Sequence, residues 1–136
     1  MEASVAADRP APESIRGARG VVVVTRADGS TLSGECVVAD RMLPRMKGLL
    51  GRRELATGEA MLIRPAPSIH TFFMRFAIDA VFLSRSGEVL MVAPCVKPWR
   101  MRFCSRAYAV LEFAAGEASR CNISAGDRLL FTEASS

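Results

Sequence analysis

A few residues carry whatever chemistry this chain can do. His70 is the only histidine and Trp99 the only tryptophan. Residues 68–83 hold that histidine, four of the seven phenylalanines, and an opposite-charge pair, Arg75 and Asp79, set in apolar sequence. As a general base, His70 needs a partner and an orienting group. Asp79, nine residues on, is the candidate. A Ser68–His70–Asp79 triad and a Cys95–His70 pair are the nucleophilic versions, but no Gly-x-Ser-x-Gly elbow accompanies them. The simpler reading of a lone histidine on an apolar face is a hydrogen-bonded structural group. Arg75 and Asp79 read as a salt bridge pinning a bend, or as the holder of an anion. A buried ion pair adds little stability of its own, because desolvation opposes the Coulomb gain.

The second group lies downstream. Pro98-Trp99-Arg100-Met101-Arg102-Phe103 interleaves cations with large apolar side chains. Trp99 either caps the core or offers a stacking platform, with Arg100 as the donor to a carboxylate, sugar or nucleotide. Glu112 can complete a polar cluster with Arg75 or Arg100; its bland alternative is an exposed edge position. The candidate ligand-binding set is therefore His70, Arg75, Asp79, Trp99, Arg100 and Glu112. One His and four scattered Cys give no tetrahedral metal set. Neither a Walker sequence nor Gly-x-Gly-x-x-Gly occurs, so no metal or nucleotide cofactor is called for.

The elements that position these groups read as strands. Along residues 68–76, period-2 alternation puts His70, Phe72, Met74 and Phe76 on one face and Ile69, Thr71, Phe73 and Arg75 on the other. Residues 80–83 are continuously apolar, as in a strand covered on both sides. Residues 80–84 and 88–92 flank Arg85-Ser86-Gly87, a hairpin loop with Gly where a positive φ is needed. Residues 21–25 and 31–38 pair across an Asp28-Gly29 turn, 60–64 form a short strand closed by Pro65-Ala66-Pro67, and 107–113 and 128–132 are further strands. Residues 94–106 read as an irregular surface loop, and 116–121 as a helical turn or short helix. The best helix spans 40–51, with Leu43, Met46 and Leu50 on its apolar side and Gly51 suited to a left-handed cap. Many short strands with one amphipathic helix predict a mostly β (α+β) fold. It is an antiparallel sandwich or small partly open barrel with the helix packed on it. Residues 1–18 are expected to be a mobile tail, and 19–133 a single globular domain.

Composition narrows the partners. The net charge is +4, and 16 of the 18 basic residues are Arg, the lysines being Lys47 and Lys97. So modest a charge steers polyanions weakly, which argues against nucleic acid although the arginines keep it as a minor alternative. No apolar run approaches the ~18 residues of a membrane helix, and the first twenty residues lack a signal-peptide core. A soluble, cytoplasmic chain with reduced Cys36, Cys95, Cys104 and Cys121 is expected.

The ordered blocks Arg45-Met46-Lys47-Gly48-Leu49-Leu50-Gly51-Arg52, Met61-Leu62-Ile63, Ile69-His70-Thr71-Phe72-Phe73-Met74-Arg75-Phe76 and Ile78-Asp79 are followed by Pro98-Trp99-Arg100, Val110-Leu111-Glu112 and Gly126-Asp127. They resemble the bacterial and archaeal family called domain of unknown function 192, in its His-Thr-Phe-x-Met-Arg variety, from about residue 34 to 130. The resemblance implies a compact β-rich fold with a helix and a shared polar surface near the Met-Arg and Ile-Asp segments. It implies no activity. Ala77 stands where that family usually has proline, and Ser84 where an acidic residue is common. The functional expectation is a non-enzymatic module binding a polar or anionic ligand or a partner segment. The alternative is a hydrolase-like enzyme using His70 and Asp79.

Overall fold

The computed structural model describes residues 15–39, 55–72 and 74–134. The β-branched run 21–25 does what its side chains favour, opening strand β1 (Val21–Arg26). The Asp28-Gly29 turn follows, with Gly29 at φ 94°. Asp28 accepts from the Ser30 amide and hydroxyl at 2.8 and 2.6 Å, which holds its carboxyl below the usual range. Strand β2 (Thr31–Ala39) returns antiparallel to β1. It then pairs in parallel with β3 (Glu59–Ile63). The predicted helix at 40–51, with its Leu43–Met46–Leu50 stripe, lies outside the described residues.

Next come β4 (Ser68–His70), β5 (Ile78–Leu83), β6 (Val89–Val96), β7 (Met101–Phe103), β8 (Ala109–Ala114), helix α1 (Glu117–Arg120) and β9 (Leu129–Glu133). Seven strands form one sheet in the order β6-β5-β8-β3-β2-β1-β9, and β4 pairs with β7 in a separate ribbon. All pairings except β2–β3 are antiparallel.

The sheet curls until its two edges touch at one end. Glu88 bridges Arg128, the Val89 amide donates to the Asp127 carbonyl at 2.8 Å, and the Leu129 amide donates to the Gly87 carbonyl at 2.8 Å. The predicted partly open barrel is thus what forms. Strand alternation sorts the core into two faces. Val22, Val24, Leu62, Val81, Leu111 and Phe131 share the inner cluster. Met61, Ile63, Ala80, Phe82 and Val110 face the other way, and Ile69 and Met74 cover them. Strand β5, buried at every position, is coated on both sides as its apolar run predicts. Ile15 and Ala18, which the sequence reading placed in the tail, are buried in the inner cluster. The Arg64 guanidinium donates to the Ile15 carbonyl.

The predicted 80–92 hairpin is present, and its glycine has a second duty at the barrel seam. Gly87 has φ 87°, and a Cβ there would lie 2.5 Å from the Leu129 carbonyl oxygen. Backbone strain of this kind costs about 1–3 kcal/mol. Gly87→Ala should therefore lower stability by about 2 kcal/mol or more in a urea melt. A loss below about 0.5 kcal/mol would mean that the seam is open in solution.

Two sequence expectations are corrected. The alternating stretch 68–76 is not one strand: β4 ends at His70, and Thr71, Phe72 and residues 74–76 are in no strand. Thr71 is drawn inward to bond the 97–100 loop, which breaks the extended run and its two-face parity. Residues 94–106 are not wholly irregular, because β6 runs to Val96 and β7 finds a partner in β4.

Candidate functional site

The ribbon and its loop bring His70, Trp99 and Arg100 together, and Thr71 is the knot. Fully buried, Thr71 donates its amide to the Arg100 carbonyl at 2.9 Å and accepts from the Trp99 amide at 3.0 Å. Its hydroxyl donates to the Lys97 carbonyl at 2.6 Å and accepts from the Arg100 amide at 3.0 Å. A hydroxyl that serves as donor and acceptor at once holds a loop as no apolar residue can. Trp99 sits in the left-handed region at φ 65°, a conformation that bulky residues adopt rarely. Its ring stacks on Phe72 with centroids 5.8 Å apart and planes at 26°. Phe72 in turn lies 4.9 Å from the His70 ring. Trp99 is nevertheless 55% exposed, so it caps no core.

Beyond Trp99, the ribbon keeps large apolar groups in water. Met101 is 62% and Phe103 63% exposed. Register pairs Ser68 with Phe103 and His70 with Met101, so these four share the outer face, while Ile69 opposite Arg102 turns to the core. A groove of about 410 Å³ is lined by Ser68, Met101, Arg102 and Phe103. Sequence reading missed Thr71, Phe72, Met101 and Phe103 as contributors. The alternation of Trp99, Met101 and Phe103 with Arg100 and Arg102 is a period-2 signal, masked by the prolines that suggested a loop.

The remaining candidates lie elsewhere. Arg75 is exposed in the bend it forms with Phe76, and among the described residues no ion pair joins it to Asp79. Asp79 is buried and bonded wholly to backbone. Its Oδ1 accepts from the Cys95 amide at 2.8 Å, and its Oδ2 accepts from Gly116 and Ala118 amides at 3.0 and 2.9 Å. It thereby ties β5 to β6 and to the start of α1. Neither Arg75 nor His70 is among these donors, so the bend-pinning pair is not formed. Glu112 is fully buried in the central strand β8, between Ala80 and Met61. It occupies no exposed edge, and its side of β8 is the one facing the ribbon-covered cluster with Val110.

All four cysteines are free thiols, but only Cys36 is buried; Cys95 is exposed and Cys104 and Cys121 are half-buried. Burial pushes the Cys36 thiol up to about 12. Among the described residues no group of His, Cys, Asp and Glu is placed to hold a metal ion, and no helix is long and apolar enough to cross a membrane.

Solved structures share this architecture. A candidate transcription regulator from Sinorhizobium meliloti superposes with a TM-score of 0.68 at 26% identity, covering 82% of this chain and 92% of that one. A protein of unknown function from Novosphingobium aromaticivorans gives the same TM-score at 24% identity, over 91% of this chain and 95% of that one, and speaks for the fold alone. In sequence, a UPF0127 protein of Pyrococcus furiosus is 32% identical over 105 residues, 74% of this chain and 90% of that protein. The model of the family DUF192, described as an uncharacterised ACR, matches residues 23–131, nearly the whole of the barrel and its ribbon. On that match and on the relative that spans the same strands, this chain belongs to the DUF192 family.

Proposed function

We propose that this protein is a non-enzymatic binding module, with its recognition surface at the Trp99–Arg100 loop. A polar or anionic ligand, or a partner segment carrying such groups, is its target. The observation that carries this reading is the half-exposed Trp99 ring, stacked on Phe72 and held beside an exposed Arg100 by the Thr71 knot. A half-exposed indole next to a guanidinium suits a planar or anionic group, by stacking and charge-assisted hydrogen bonding. Arg100 is available for this. Among the described residues its guanidinium makes long bonds of 3.4 Å to the carbonyls of Pro98 and Trp99 and no shorter ones. Acid–base catalysis by His70 with Asp79 has less support, since both carboxylate oxygens of Asp79 are taken by backbone amides.

The test is a screen of anionic metabolites read by Trp99 fluorescence. A hit should weaken at least tenfold in Arg100→Gln, since a charge-assisted bond contributes about 1.5–3 kcal/mol. Calorimetry with Trp99→Ala should show a comparable loss. A confirmed ligand that binds both variants unchanged would remove the loop from the site.

A further inference from the structure

We propose that the outer edge of β7 takes up an extended acidic peptide as a third strand of the ribbon. This inference rests on the recognition surface proposed above and names its partner class.

The ladder geometry comes first. The Thr71 amide donates to the Arg100 carbonyl, and the Cys104 amide donates to the Pro67 carbonyl. In an antiparallel pair, hydrogen-bonded and non-hydrogen-bonded couples alternate. The couples Thr71/Arg100 and Pro67/Cys104 are bonded, so Ile69/Arg102 is bonded too. The couples His70/Met101 and Ser68/Phe103 are then the non-bonded ones. The amides and carbonyls of Met101 and Phe103 therefore point away from β4, along an edge with no strand beyond it among the described residues. Among the described residues only the Met101 carbonyl is occupied there, by the Arg102 guanidinium at 2.7 Å. An open strand edge is a template for another strand.

Charge and shape narrow the occupant. Residues 65–77 and 94–107 contain no Asp or Glu, and they contribute Arg75, Lys97, Arg100, Arg102 and Arg106. A second copy of this chain would meet that edge with the same positive charge. A lipid surface offers nothing to pair with unmet backbone amides. An acidic peptide satisfies the edge amides with its carbonyls and lays alternate apolar side chains over the exposed Met101 and Phe103. When its backbone takes the Met101 carbonyl, the Arg102 guanidinium is released to meet a carboxylate.

The probe is a short fluorescein-labelled peptide alternating Glu with Val and Phe, titrated with the full chain by anisotropy. Saturable binding that weakens with added salt is expected, with no binding of the version carrying Lys for Glu. Methylating one peptide amide nitrogen at a time should weaken binding roughly tenfold at alternate positions and little between them. Phe103→Pro removes one outward amide without touching the β4 ladder, and should weaken binding similarly; the methylation series reads the same point without altering the protein. Uniform sensitivity to methylation, or no binding of the acidic peptide, overturns strand addition. So does sedimentation of the protein with phosphatidylserine vesicles that the peptide fails to displace, or self-association through Phe103. If small anions bind through Arg100 while the peptide does not, the recognition surface stands and only strand addition falls. If neither binds, both fall.

Discussion

Replacing Asp79 with alanine should cost about 3–5 kcal/mol, from three hydrogen bonds to a buried carboxylate. The side chain is 1% exposed, so solvent does not weaken what it holds. Its loss leaves the amides of Cys95, Gly116 and Ala118 without their acceptor; of the three residues only Ala118 is buried, and a buried amide with no partner costs free energy of its own. One of those donors is strained. Cys95 sits at φ 49° in the left-handed region, and the bond from its amide to Asp79 helps fix it there. Asp79→Asn keeps one good acceptor but turns an amide group toward backbone donors, so roughly half the loss is expected. Cys95→Gly accepts the positive φ without penalty and should recover part of the loss in either background. Urea melts of the single and double variants measure each step. A cost for Asp79→Ala below about 1 kcal/mol would show the carboxylate to be dispensable to the fold, and would return it to the pool of groups free for chemistry. A domain of this size has about 5–15 kcal/mol in all, so the expected loss leaves a folded but much weakened protein.

Asp79 also shows where reading the sequence stops. Its strand was legible from Ala80 on, because an unbroken apolar run is what a strand coated on both faces requires, but it starts at Ile78 and takes in Asp79, which the sequence placed at a bend before it. The 80–92 hairpin was legible too, because Gly87 answers a backbone need that few other residues can meet. The partner of Asp79 was not legible. Charge opposite charge at short spacing suggested Arg75, whereas the carboxylate goes to three amides from segments sixteen to thirty-nine residues away. Backbone amides are everywhere and leave no mark in the sequence. Glu112 misled for a related reason. Only the sheet order reveals that β8 lies between β5 and β3, where no position is an edge. Trp99 and Arg100 were found by residue type alone. The ring beneath them, Phe72, and the hydroxyl that anchors them, Thr71, were assigned to opposite faces of a strand that ends at His70.

Two phenylalanines separate what holds the barrel from what the ribbon offers outward. Phe82→Ala should cost about 3–5 kcal/mol, as large-to-small changes in a packed core do. Phe82 is fully buried on β5, opposite Met91 of β6 and Val110 of β8, in the cluster that Ile69 and Met74 cover. Phe103→Ala removes the same ring from a residue that is 63% exposed, and should stay within about 0.5 kcal/mol. Matched urea melts, compared at equal denaturant slope, decide between the two environments. Should Phe103→Ala cost as much as Phe82→Ala, the outer face of the ribbon would be covered in solution and could not receive a ligand. Should it cost little, a large ring is being kept in water beside Met101 and Trp99 with no return in stability. Contiguous exposed apolar groups of this kind mark interaction sites, and the loss on Phe103→Ala would then appear in partner binding rather than in the melt.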